Sequence, residues 1–299
     1  MKKRFLRNVL AVLSTMILLT AMALAAAADE INWQDATITV TGMGIAPQNA
    51  VNQAQKTMLA RRAAVVDGYR QLAESINGVQ VDAESTVENL IITSDVVRTK
   101  VSALIRGAQV ISQRPVEGGY EVTMKISMFG SSNSLAEAVL PTTGKREDFP
   151  KPVQSVAPSM PAYESTTSID VRIDVTNKQT APTAAKNNNA IGGYTGLIVD
   201  CRGLNLNPVM SPVIKNADGE SIYGHKNLDP DYVIANGMAS YTTDIKASDR
   251  AGNNPLVVKA VSVENHNGYP VISTADANRV LIENKSSGFL DKTKVVFIR

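Results

Sequence analysis

One long stretch, NAVNQAQKTMLARRAAVVDGYRQLAESING (Asn49–Gly78), decides the fold of the first half of the chain. Apolar residues recur along it at intervals of three and four, which is the spacing of an amphipathic helix with one buried face. We therefore predict a helix from Asn49 to Asn77, ended by Gly78 in a left-handed conformation. The predicted apolar stripe consists of Val51, Ala54, Met58, Val65, Tyr69, Leu72 and Ile76.

The segments around this helix predict a small domain, residues 29–140, in the order strand, helix, strand, helix, strand, strand. The first strand ends at Gly42-Met43-Gly44, which we interpret as a turn. A second helix begins near Ser94 and stops at Gly107. A hairpin then turns at Glu117-Gly118-Gly119, because its return strand alternates apolar and polar residues. The inward-facing residues of that strand are Tyr120, Val122, Met124, Ile126 and Met128.

Proline marks the boundary with a second domain. Six of the 13 prolines fall within residues 141–190, a Pro-, Thr- and Asn-rich stretch that we predict to be a linker. Inside it, Ile169, Val171, Ile173 and Val175 alternate with charged residues, which predicts a strand of either the second domain or the edge of the first. Residues 191–299 alternate strand and helix patterns. The predicted fold class is α+β, with two small domains that each pack helices on a mainly antiparallel or mixed sheet.

Residues 1–28 have the pattern of a secretory signal peptide. Four bases open the chain, and an uncharged apolar run then ends in four alanines. We predict cleavage between Ala28 and Asp29, with an earlier site after Ala25 as a second option; an uncleaved N-terminal anchor is the alternative. Removing those four from the 30 bases leaves 26 against 28 acids, so the formal net charge changes from +2 to −2. This balance does not favour binding to nucleic acid or to an anionic membrane.

No residue pattern builds a catalytic, cofactor or metal site. The one cysteine, Cys201, excludes an internal disulfide, and it follows an apolar run that predicts its burial. A cysteine-dependent hydrolase that uses Cys201 and His225 remains an alternative, although Asp200 lies on the opposite face of the strand. His225 and His266 lack zinc-ligand spacing, and the Gly42–Gly44 turn lacks the third glycine of a nucleotide-binding loop. We expect no enzyme, no cofactor and no metal.

Arg62 is the first candidate for a contact residue. It lies four residues after Met58 and three before Val65, on the predicted apolar stripe. An arginine there either extends along the edge of the stripe to water or pairs with a buried carboxylate or a partner's acid. Together with Asp67 and Arg70, it is a candidate structural or partner-contact residue.

Several short motifs resemble the Lpp-twenty family of envelope lipoproteins over about residues 37–130. The same region is similar to the N-terminal domain of flagellar assembly protein T. A second region, Tyr194–Leu204 with Asn254–Ala260, resembles a companion region that follows such domains in secreted bacterial proteins. The motifs are Ala60-Arg61-Arg62-Ala63-Ala64, Asp67-Gly68-Tyr69-Arg70-Gln71-Leu72, Glu74-Ser75-Ile76-Asn77-Gly78-Val79, Ser85-Thr86-Val87 and Arg106-Gly107-Ala108.

The resemblance implies an exported bacterial protein of the periplasm or outer membrane, without known catalysis, that assembles with or scaffolds other proteins. Envelope or appendage proteins are the expected partners, and a flagellar role is one option by analogy. The chain lacks a lipobox cysteine, so we expect only peripheral contact with the membrane. The alternatives are a secreted or N-terminally anchored protein, and a small-ligand module with its site between the domains. The sequence does not indicate an oligomeric state.

Overall fold

The computed structural model describes residues 30–152 and 190–299. The predicted cleavage site at Ala28 and Asp29 and the alternating segment around Val171 lie outside the described residues. The chain divides into two compact units: the first holds the residues up to Thr142 together with Ile234–Asn236, and the second holds Thr143–Val233 and Gly237–Arg299. Both units combine helices with a sheet, which confirms the predicted two-domain α+β fold.

The first unit packs helices on a four-stranded antiparallel sheet of order β1-β2-β4-β3. The apolar residues of β2 and β4 alternate with half-exposed polar residues, so one sheet face is buried and the other meets water. The predicted second helix and the hairpin are confirmed, as Ser94 caps the helix and β4 buries the expected residues. The elements are β1 (Glu30–Asn32), β2 (Thr37–Gly44), α1 (Gln53–Asn77), α2 (Val87–Thr93), α3 (Asp95–Arg106), β3 (Gln109–Val116), β4 (Gly119–Ser127) and α4 (Leu135–Val139).

The long helix differs from its prediction at both ends. It begins at Gln53, where the Asn52 side chain accepts a hydrogen bond from the Gln55 amide, four residues later than expected. Gly78 ends it in a right-handed conformation, with φ −76°. Between this helix and the next, the predicted strand is reduced to one isolated bridge between Gln80 and Thr86, and helix α2 follows.

The predicted apolar stripe of α1 is wrong in its N-terminal half. Val51 and Met58 are 87% and 73% exposed, whereas Leu72 and Ile76 are buried as predicted. The helix buries smaller residues in their place, because they allow its backbone to approach the sheet closely. The buried residues of α1 are Ala60, Ala64, Gly68, Leu72 and Ile76.

The second unit has a seven-stranded mixed sheet of order β7-β6-β10-β9-β5-β11-β8. Four neighbouring strands, β9, β5, β11 and β8, run parallel to one another. Strand β10 pairs antiparallel with β9, and β7 pairs antiparallel with β6. Short 3-10 helices span His225–Asn227, Ile245–Ala247 and Asp249–Ala251. The other elements are β5 (Gly196–Asp200), β6 (Ile214–Asn216), β7 (Ser221–Tyr223), α5 (Pro230–Asn236), β8 (Ser240–Thr242), β9 (Pro255–Glu264), β10 (Tyr269–Ile272), α6 (Thr274–Ser287) and β11 (Val295–Ile298).

The start of the predicted linker lies against the second unit. The Glu147 amide donates to the Lys226 carbonyl at 2.8 Å, and the two side chains form an ion pair. The ring of Phe149 stacks parallel to that of Tyr223, with centroids 6.5 Å apart. We call residues 146–149 the strap, because they hold the chain to the second unit before the linker continues.

Candidate functional site: helix α1 and the open edge of strand β2

Helix α1 lies directly on strand β2 because both backbones carry small residues where they meet. A Cβ atom at Gly42 would overlap the Ala64 carbonyl oxygen and the Gly68 amide nitrogen. One at Gly44 would overlap the Ala60 carbonyl oxygen. The predicted turn at Gly42 and Gly44 is therefore wrong: both glycines belong to the strand, where they mark a close approach of two backbones.

Strand β2 has an open edge beside this helix. Strand β4 pairs with the whole of β2, but β1 pairs only with residues 37–39 on the other side. Partners alternate along an antiparallel ladder, so Thr41 and Met43 direct their backbone groups away from β4. No other strand in the described part of the chain pairs with residues 40–44 on this side, which we call the β2 edge.

Asp67 of α1 reaches over the β2 edge. Its Oδ2 atom accepts a hydrogen bond from the Met43 amide at 2.9 Å and another from the Gln71 side chain at 2.7 Å. Arg70 donates to Oδ1 at 2.9 Å. Partial burial raises the pKa of this carboxyl, but the hydrogen bonds from Met43, Arg70 and Gln71 outweigh that effect, and the pKa is lowered overall. The carboxylate is therefore ionised, and it accepts the hydrogen bond that the Met43 amide would otherwise donate to a neighbouring strand.

The outward side of α1 forms a shallow apolar depression with charged residues at its rim. Leu59, Ala63 and Val66 supply the apolar surface, and Val66 is 61% exposed. Arg62 and Arg70 lie at the rim beside Asp67. We call this surface the α1 face. An exposed apolar surface rimmed by charge is typical of a protein-interaction site.

The structure brings the three predicted contact residues to one surface, but their partners differ. Asp67 and Arg70 form an ion pair with each other, and Arg70 also binds Glu74 at 2.6 Å. The Arg62 side chain is exposed and makes no hydrogen bond or ion pair with any described residue. Of the two alternatives for Arg62, the one in which it extends to water agrees with this exposure, and no described carboxylate pairs with it; the buried face of α1 passes through Ala60 and Ala64.

The residues of the hydrolase alternative do not have the properties of a catalytic pair. Cys201 is fully buried, and its thiol donates a weak hydrogen bond to the Val199 carbonyl. Burial, reinforced by the charge of Asp200, raises the pKa of this thiol to about 12. Burial also lowers the pKa of His225, whose Nε2 atom has no hydrogen-bond partner among the described residues. A thiol in this environment stays protonated and is a poor nucleophile.

Sequence reasoning missed the most buried charged group of the second unit, Glu283. Its two carboxylate oxygens accept hydrogen bonds from the backbone amides of Ile191 and Gly192, each at 2.9 Å. The Nε atom of Arg279 lies 3.2 Å from the Oε1 atom of this carboxylate. In the sequence, Arg279 and Glu283 have the four-residue spacing of an ordinary surface ion pair. The sequence contains no indication that the backbone of Ile191 and Gly192 lies against this pair.

Comparison with known families bears on both units. A sequence model of the LPP20 lipoprotein matches residues 33–127, which include β2, α1 and β4. Residues 33–127 are thus similar to the LPP20 lipoprotein, and we call the first unit the LPP20 unit. This confirms the predicted resemblance and indicates an envelope-associated protein. The α1 face and the β2 edge both lie within the LPP20 unit.

A second family model, described as the second domain of Treponema pallidum Tp0624, matches residues 196–299. No curated protein matches the chain. Within the described residues, no helix is both long and apolar enough to cross a membrane.

Proposed function

We propose that this chain is an exported, non-enzymatic protein of the bacterial cell envelope that acts by binding other proteins through its LPP20 unit. The α1 face is the single observation that carries the proposal. It presents exposed apolar side chains beside Arg62, an arginine that makes no hydrogen bond or ion pair with any described residue. Arginine and exposed apolar residues are enriched at protein interfaces, and a guanidinium without a partner is available to a carboxylate of another protein.

The export pattern of residues 1–28 and the family of the first unit support the envelope as the location. The buried, protonated Cys201 thiol supports a role without cysteine catalysis. A role in a flagellum is the finer option and rests on the likeness to flagellar assembly protein T. Deletion of the gene tests that option directly, since an unchanged swimming phenotype and unchanged flagella would remove it.

Site-specific photocrosslinking tests the binding role. A photoreactive amino acid at Val66 lies on the α1 face, and the matched control position is Glu117, which is exposed in the β3–β4 turn. We expect a discrete protein adduct in intact envelopes from position 66 and none from position 117. Arg62→Glu should reduce the yield of that adduct several-fold. Equal labelling from both positions, or none from either, would remove the proposal.

A further inference from the structure

We propose that the β2 edge receives an extended segment of a partner protein, which pairs with Thr41 as an added strand and presents an acidic side chain to Arg62. The inference deepens the proposed function and rests on it, because the α1 face and the β2 edge are adjacent. It specifies how the first unit binds its partner: the partner adds a strand to an open sheet edge.

The ladder leaves room for one short strand. The described part of β1 begins at Glu30, opposite Thr39, and β2 continues to Gly44. Five residues of strand extend over about 16 Å. The backbone groups of Thr41 face outward and have no strand partner among the described residues. The Met43 amide already donates its hydrogen bond to Asp67. An added strand therefore has two hydrogen bonds to gain at Thr41 and one at the Met43 carbonyl.

The helix determines which side chains fit above the edge. Because Asp67 of α1 accepts a hydrogen bond from the Met43 amide on this edge, residues on the same side of the helix lie near the place where an added strand would run. Leu59 and Ala63 supply apolar surface on this side of the helix. Alternate residues of a strand point to the same face. The partner segment is therefore apolar at the positions that face α1.

Charge complementarity determines the rest of the partner's chemistry. Arg70 already forms ion pairs with Asp67 and Glu74, whereas no described carboxylate lies within ion-pair distance of Arg62. A carboxylate on the partner would complete a guanidinium–carboxylate pair at the rim of the α1 face. An extended segment with alternating apolar residues and one acidic residue thus fits the surface better than a basic or neutral one.

Two other occupants compete for this edge. One is the part of this same chain that precedes Glu30 in the sequence and lies outside the described residues. A second copy of the chain is the other, since open strand edges can pair with each other. The experiment below distinguishes both of these from a partner segment.

The test is amide hydrogen exchange at Thr41 in the full exported chain. The probe is a capped eight-residue peptide that alternates threonine and valine and carries one terminal aspartate. We expect this peptide to slow exchange of the Thr41 amide at least about tenfold, since a strand hydrogen bond replaces water there. The same peptide with a central proline should have no effect, because proline removes a strand donor.

Three variants assign the effect to the surface described above. Ala63→Lys should abolish protection, and Ala54→Lys, nine residues earlier on the opposite and exposed side of α1, should leave it unchanged. Arg62→Gln should weaken binding of the aspartate peptide by a factor of about three, the effect of one exposed ion pair, and leave a matched asparagine peptide unaffected. This third variant changes an exposed residue that makes no hydrogen bond or ion pair with the described part of the chain, so it tests the inference even if Ala63→Lys destabilises the unit.

Each other outcome overturns the inference. Exchange at Thr41 that stays fast at about 1 mM peptide, a hundredfold above a moderate affinity, excludes strand addition. Protection without peptide that rises with protein concentration assigns the edge to a second copy. Protection without peptide at every concentration assigns it to the chain's own N-terminal residues. If crosslinking at Val66 succeeds while Thr41 remains unprotected, the proposed binding function stands and strand addition is wrong.

Discussion

The contact between the glycines of β2 and the backbone of α1 can be tested by adding one methyl group. In Gly42→Ala, the new Cβ atom would overlap backbone atoms of Ala64 and Gly68, which cannot rotate away as a flexible side chain can. The helix would have to move outward by about 1 Å, and a gap of that size removes a quarter to a half of the attraction of each affected contact. Overpacking alone costs about 1–3 kcal/mol, and the loosened contacts of Leu72 and Ile76 add to it, so we expect a loss of about 3 kcal/mol.

The single tryptophan of the chain, Trp33, lies between β1 and β2 and therefore reports on unfolding of the first unit. With an m value of about 2 kcal/mol/M, a loss of 3 kcal/mol lowers the urea midpoint by about 1.5 M. Gly144→Ala is the matched control, because no described atom lies within 4 Å of its added Cβ and its φ is not in the left-handed region.

A second variant makes the test quantitative. In Gly68→Ala, the added Cβ would meet the Met124 side chain at 3.1 Å, and this thioether can move. Alanine also gains about 1 kcal/mol over glycine in a helix interior, which offsets the displacement. We expect Gly68→Ala to be close to neutral. Equal midpoints for Gly42→Ala and Gly144→Ala would refute the close-packing argument, because only the first introduces a backbone overlap.

Three further predictions concern charged and titratable groups. Asp67→Asn should lower the stability of the first unit by about 1 kcal/mol at pH 7, the scale of a partly exposed charge-assisted hydrogen bond. Because the pKa of Asp67 is lowered by folding, this contribution is complete above the unfolded value of about 3.9 and is lost as the pH falls through the folded value; a wild-type advantage in urea titrations that does not decrease as the pH falls below about 3.9 would contradict it. Cys201 should not react with a thiol reagent at pH 8 until the second unit unfolds, since burial raises its pKa to about 12; labelling followed by intact mass would show early modification if this is wrong. Glu283→Gln should leave one of the Ile191 and Gly192 amides without an acceptor and speed their hydrogen exchange at least about tenfold, whereas unchanged exchange would mean that the carboxylate does not hold them.

Local patterns predicted the elements that local interactions build. Ser94 and Gly107 delimit α3 because a hydroxyl cap and a glycine end act within one helical turn. The hairpin after Val116 follows from its turn glycines and from strict alternation in β4. The burial of Cys201 follows from the apolar run that precedes it.

The same reasoning failed where two distant backbones meet. The hydrophobicity of Met58 and Val51 favoured them as core residues, yet the sheet accepts Ala60 and Ala64 because the glycines of β2 bring it so close. Which face of the helix is buried therefore depends on residues about 20 positions apart, and the pattern within the helix alone does not indicate it. The position of Arg62 beside Asp67 and Arg70 on the α1 face emerged only when the helix was seen against the β2 edge.

The attachments at the two ends of the predicted linker change what that linker connects. The strap binds the second unit at residues 146–149, and Glu283 binds the same unit to Ile191 and Gly192. Both described ends of the predicted linker are therefore attached to the second unit, and along this part of the chain the boundary between the two units falls between Thr142 and Thr143, ahead of the strap.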